Sequence, residues 1–106
     1  MRQPVIIIGA GGHATVLADA LREAGVKVLG FTDTNVCLHG TLRVGLPVLG
    51  GDEVLSNTSP KDVHLVNGLG FVSGFGRETT RAVIQLKLQE QGWIFAPVIH
   101  PRAWVS

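Results

Sequence analysis

The sequence predicts an α/β fold in which helices cover both faces of a short parallel sheet, and three observations predict it. The first is an unbroken branched run, Val5-Ile6-Ile7-Ile8, which suits a strand buried on both faces. The second is the order of the next segments: a glycine cluster, a stretch with apolar residues every three or four positions, and another apolar run ending at an acid. Strand, turn, helix and strand in that order form a right-handed crossover unit. The third is composition: of 106 residues 45% are apolar and 16% charged, too apolar for a disordered chain and enough for one domain with a covered sheet.

Each element has its own signal. Pro4 to Ile8 is the first strand. From His13 to Ala24 the residues Val16, Leu17, Ala20, Leu21 and Ala24 recur at helical spacing, and Gly25 stands where a left-handed cap is wanted. Val26 to Phe31 is the second strand, with Asp33 just past its end. Thr34 to Gly45 has no periodicity and reads as a loop. "LPVLGGDEVLSN" gives a short extended piece and a short helix opened by Gly51-Asp52. Val63 to Val66 is a third strand, and "NGLGFVSGFGRE" is a second glycine-rich connection, flexible or ligand-facing. Arg77 to Gln91 is a second long helix with Val83, Ile84, Leu86 and Leu88 as its apolar set and Gly92 as its stop. "GWIFAPVIHP" reads as a fourth strand ended by His100-Pro101. No internal repeat is visible.

Composition also excludes classes of function. The net charge is +1 and the Lys and Arg residues are scattered, so the electrostatic footprint that nucleic acid needs is missing. The apolar start, Pro4 to Ala10, is about a third of a membrane span and runs into glycines, and a lone Arg2 makes a poor signal peptide. No membrane association is expected. The single Cys37 cannot form an internal bridge and fits a reducing compartment, the cytoplasm. His39, His64 and His100 lack the spacing of a zinc site, and neither Ser73 nor Cys37 has a nucleophile's context, so no metal and no catalytic residue is expected.

The chemistry lies in Gly9-Ala10-Gly11-Gly12-His13-Ala14, which fits G-x-G-x-x-G/A between a strand and a helix, with Asp33 about twenty positions on. Gly9 takes the sharp turn off the strand. Gly11 lets backbone approach a phosphate, and Ala14 lets the helix lie close to the strand, while free N–H groups at the helix start face the anion. The same residues also suit a tight turn with no ligand. Asp33 is placed to accept from a ribose diol or a base N–H, or to serve as a turn residue. His13, as a neutral imidazole, could donate to a phosphate or sugar oxygen, or simply pack in the turn. Gly68 and Gly70 follow the third strand at the edge where ligands of a Rossmann-like, three-layer domain bind, or lie in a mobile loop.

A complete dinucleotide domain needs two such halves, and about 100 residues give little more than one. The whole chain instead resembles the N-terminal nucleotide-sugar-binding domain of the bacterial sugar O- and N-acetyltransferases, hexapeptide-repeat enzymes acting on sialic acids and UDP-4-amino sugars. The matching pieces are "IIIGAGGHATVLADAL", "GFTDTN", "LPVLGGDEVL", "LVNGLG" with "RETTRAV" after it, and "VIHPRAWVS". The resemblance implies that residues 1–99 form the Rossmann-like domain. Residues 100–106 would be the first coil of a left-handed β-helix that is missing here. It implies a UDP-sugar as partner, with Gly11, Gly12 and His13 at pyrophosphate and sugar. Asp33 and Thr34 would lie at uracil or ribose, and Gly70 at the ligand's approach. Acetyl-CoA, the catalytic base and homotrimer contacts would belong to the β-helix, so this chain itself would bind no cofactor. The alternatives are an NAD(P)-binding fragment of an oxidoreductase, which shares the glycine turn and Asp33, and a stand-alone nucleotide-sensing domain.

Overall fold

A computed structural model describes residues 3–68 and 77–96, with side chains from residue 83 onward in the last helix. The strands are β1 (Val5–Ile8), β2 (Val28–Thr32), β3 (Leu42–Arg43), β4 (Leu46–Gly50) and β5 (His64–Asn67). The helices are α1 (Gly12–Glu23), α2 (Glu53–Ser56) and α3 (Arg77–Glu90), with a 3-10 turn at Val36–Leu38. The sheet order is β3-β4-β2-β1-β5. Strands β4, β2, β1 and β5 are parallel, and β3 is joined to β4 as an antiparallel hairpin.

The branched run at β1 is central because it alternates between two cores. Val5 and Ile7 pack with Ala14, Leu17, Ala18 and Leu21 of α1, together with Phe31, Val48 and Val66. Ile6 and Ile8 pack on the other face with Leu55, Val63, Leu65 and Trp93, against which Ile84 and Leu88 of α3 lie. Both faces of the strand are therefore dry, as its sequence requires. This is the expected α/β three-layer, Rossmann-like domain.

Both long helices end as their glycines predict. After α1, Gly25 has φ 81°, its N–H donates to the Arg22 carbonyl (3.0 Å), and the Val26 N–H donates to Leu21 (2.9 Å). That closure is a Schellman motif, and it delays the second strand from Val26 to Val28. After α3, Gly92 has φ 97° and the Trp93 N–H reaches the Leu88 carbonyl (3.1 Å), which sets the indole on the Leu88 face of the core.

Three expectations are corrected. The stretch 34–45 is not wholly loop: Asn35 accepts the Cys37 N–H (3.0 Å) to cap the 3-10 turn, and Leu42–Arg43 pairs with β4. A two-residue strand carries no periodic signal. On α3, Ile84 and Leu88 face the core, but Val83 and Leu86 are more than half exposed. Of the expected fourth strand "GWIFAPVIHP", the described residues 92–96 make one parallel bridge, Phe95 to Leu65, and the rest lies outside the described residues. Gly70, Ser73, His100 and the expected coil at 100–106 lie outside the described residues.

Candidate functional site

Four parallel strands end at one edge of the sheet, and the register fixes which residues share it. Ile8 lies beside Thr32 and Asn67, and Thr32 beside Gly50. The next residues, Gly9, Asp33, Gly68 and Gly51, therefore leave the sheet side by side. The chain runs outward from β1 through β2 to β4 and then crosses back to β5, so the order reverses between β1 and β5. Such a reversal opens a crevice at the carboxyl ends of the strands, where ligands of open α/β sheets bind.

Gly9 turns off β1 at φ 96°, a left-handed conformation, with its N–H on the Thr32 carbonyl (2.6 Å). Gly11 caps α1 from an extended conformation with no side-chain hydrogen bond, and the first turn holds no acidic residue. The opening N–H groups of a helix lack partners within it, and their dipoles favour an anion. A Cβ on Gly11 or Gly12 would meet nothing within 4 Å, so packing does not require glycine at either position. His13 is exposed on the first turn, and Ala14 beneath it is wholly buried.

Asp33 is bound through every polar group it has. Its N–H donates to the Gly50 carbonyl (2.9 Å), and its Oδ2 accepts the Ala10 N–H (3.0 Å). Oδ1 accepts the Asn35 N–H (2.8 Å), and its carbonyl accepts from His39 Nε2 (2.6 Å). Asp33 is thus a turn residue that clamps the glycine turn to the end of β2. A carboxylate has about four lone-pair sites, so these two bonds leave capacity for a ligand O–H or N–H. Thr34 follows it, exposed.

Gly68 is at this edge for a different reason. A Cβ there would stand 2.5 Å from Ile7 Cγ2, 2.9 Å from the Ile8 carbonyl and 3.0 Å from the Ala14 Cβ. Its bareness lets β5 close on β1 and α1, and its own N–H is held by the Ile8 carbonyl (2.9 Å). Its place is thus set by packing and by this hydrogen bond.

Three residues at the edge escape a reading of the sequence. Asn67, 9% exposed, donates from Nδ2 to Gln85 Oε1 of α3 (3.1 Å). Glu53 accepts the Gly51 N–H (2.9 Å), and that bond is the chief cause of a carboxyl pKa below its ordinary value. Its own backbone N–H acts in the same direction, burial opposes them, and the charge of His39 adds to the lowering. His39 carried no sequence signal, because its partner is a backbone carbonyl. Among the described residues no group of three His, Cys, Asp or Glu side chains could hold a metal ion. No helix among them is long and apolar enough to cross a membrane.

Comparison with curated protein sequences gives no significant match. Solved structures do match. The acetyltransferase domain of PglB from Neisseria gonorrhoeae, in complex with acetyl coenzyme A, superposes with a TM-score of 0.78 at 25% identity. That match covers 95% of this chain and 45% of that one. PerB from Caulobacter crescentus, in complex with CoA and GDP-perosamine, superposes with a TM-score of 0.75 at 27% identity, covering 95% of this chain and 44% of that one. The chain thus spans less than half the length of the proteins it resembles. The family model of the PglD N-terminal domain matches residues 4–88, from β1 into α3, and the chain belongs to that family.

Proposed function

We propose that this chain is the nucleotide-sugar-binding domain of a sugar acetyltransferase, and that the ligand lies across the carboxyl edge of the sheet between β1 and β5. The observation that carries this reading is the start of α1: among the described residues no side chain caps it, its first turn holds no acidic residue, and a Cβ at Gly11 or Gly12 would meet nothing within 4 Å. A pyrophosphate supplies the charge and the acceptors that this surface lacks. Gly9 and Ala10 hold the turn, His13 donates to a phosphate or sugar oxygen, and Asp33 with Thr34 meets ribose or base. Gly70 is assigned to the ligand's approach, and Gly68 to the packing beneath it.

The sugar's amine or hydroxyl would then attack the thioester carbonyl of acetyl-CoA, losing its proton to a general base as the C–S bond breaks and the thiol leaves. Acetyl-CoA and that base belong to a catalytic β-helix, of which residues 100–106 would be the first coil after a domain of residues 1–99. The full enzyme would be a cytoplasmic homotrimer with no nucleic-acid or membrane partner. The matched acetyltransferase structures support this reading, and the NAD(P)-binding alternative is not favoured. The GDP-perosamine of the PerB structure supports a nucleotide sugar as the ligand class. Within that class the resemblance of "GAGGHATVLADAL" and "GFTDTN" to enzymes acting on UDP-4-amino sugars favours uridine.

Calorimetry with a UDP-sugar, a GDP-sugar and NAD(H) tests the proposal. The expected result is binding of a nucleotide sugar without turnover and no response to NAD(H). Binding of NAD(H) with silence toward both nucleotide sugars would overturn it.

A further inference from the structure

We propose that His39 is a positioning residue for the phosphate-facing turn, acting through Asp33. The inference rests on the reading above that nucleotide binds at the start of α1. A carbonyl oxygen can only accept, so the 2.6 Å contact between His39 Nε2 and the Asp33 carbonyl requires the proton on Nε2. The bond spans six residues and closes the segment from Asp33 to His39 into a ring. Within the ring, Asn35 bonds Asp33 Oδ1, the Leu38 N–H donates to Asn35, and the His39 N–H donates to Val36. On its far side the Gly40 N–H is fixed to the Val48 carbonyl (2.9 Å) of β4.

The consequence reaches the ligand site in two steps. His39 holds the peptide plane between Asp33 and Thr34, because it is the partner of that plane's carbonyl. Releasing the plane lets Thr34 and Asn35 rotate, and the Asn35 N–H then leaves Oδ1. The Asp33 carboxylate, with one of its two brackets gone, no longer holds Ala10 in one orientation, and Ala10 is the residue that joins Gly9 to Gly11. His39 is half-buried, so the variants are chosen to separate its hydrogen bond from its packing.

The test uses the isotope-labelled chain and two variants. His39→Ala removes the donor, and His39→Gln returns an N–H at similar reach. In the ligand-free protein, His39→Ala is expected to shift the Ala10 and Asn35 amide protons away from their carboxylate-bonded positions and to speed their exchange. Affinity for UDP and GDP, measured by calorimetry, should fall roughly three- to tenfold, the weight of one hydrogen bond. His39→Gln should restore both. If His39→Ala does not fold, His39→Phe, which keeps a ring without a donor, takes its place. An Ala10 amide that stays put in the donor-free variant overturns the proposal, and so does equal weakening by Gln and Ala. If the parent chain binds neither nucleotide, the binding assignment has failed, while the amide signals still decide what His39 does.

Discussion

Two sets of glycines stand at the same sheet edge and are there for opposite reasons. Around Gly11 and Gly12 the space where a side chain would grow is empty, whereas at Gly68 it is already filled by Ile7, Ile8 and Ala14. Neither Gly11 nor Gly68 has a positive φ, so conformation explains neither. One region keeps its backbone bare for something outside the chain, and the other for a neighbour inside it. A glycine at a ligand-binding edge is therefore evidence of a ligand only after its missing Cβ has been placed.

Substitutions separate the two cases. Gly68→Val gives the largest effect: with backbone and buried side chains at 2.5–3.0 Å, stability should fall by about 3 kcal/mol or more in urea unfolding. Gly11→Val should do the reverse, abolishing nucleotide binding by calorimetry while costing no more than about 1 kcal/mol as a poor N-cap residue. If Gly11→Val instead unfolds the chain, or Gly68→Val leaves it stable, the distinction is lost.

Smaller changes sharpen the same comparison. His13→Ala should weaken binding by about 1–2 kcal/mol, the worth of one bond to a charged oxygen, with the melting temperature unmoved. Val44 supplies a case where conformation does matter. It has φ 46° at the tip of the β3–β4 hairpin, beside Gly45 at φ 81°. A branched residue is strained there, and Val44→Asn should stabilise the fold by about 1 kcal/mol in thermal unfolding.

The least effect is expected at a third glycine site, where Glu53 holds the Gly51 N–H. Its folded pKa lies below the ordinary value of 4.5, so its contribution is present above that value and fades as pH falls through the folded one. Glu53→Gln should lower the melting temperature slightly at neutral pH and match the parent in stronger acid. An unchanged gap between the two at low pH would show that the bond carries no charge-dependent stability.

The crossover unit from β1 to β2 was legible because each of its signals is local: a branched run, helical spacing, and glycines at both ends of the helix. The position of Gly9 and the packing role of Ala14 were readable for the same reason. Asp33 was legible as a turn residue but not as a clamp, since the Ala10 N–H that it binds is 23 residues away. The Gly68 contact with Ala14 depends on strands that meet only in the folded sheet, and the His39 bond to Asp33 on a loop conformation that no periodicity marks. On α3, alternating exposure split one apolar set in two: periodicity located the helix but could not say which residues faced inward.

The flanks of the sheet also bear on how the molecule behaves in company. One ends in β3, two residues long and tied back by a tight hairpin, and the other is covered at Leu65 by the bridge to Phe95. Long, flat, unpaired strand edges are where sheets of separate molecules zip together. Among the described residues this sheet presents no such seam, since β3 spans two residues and β5 four.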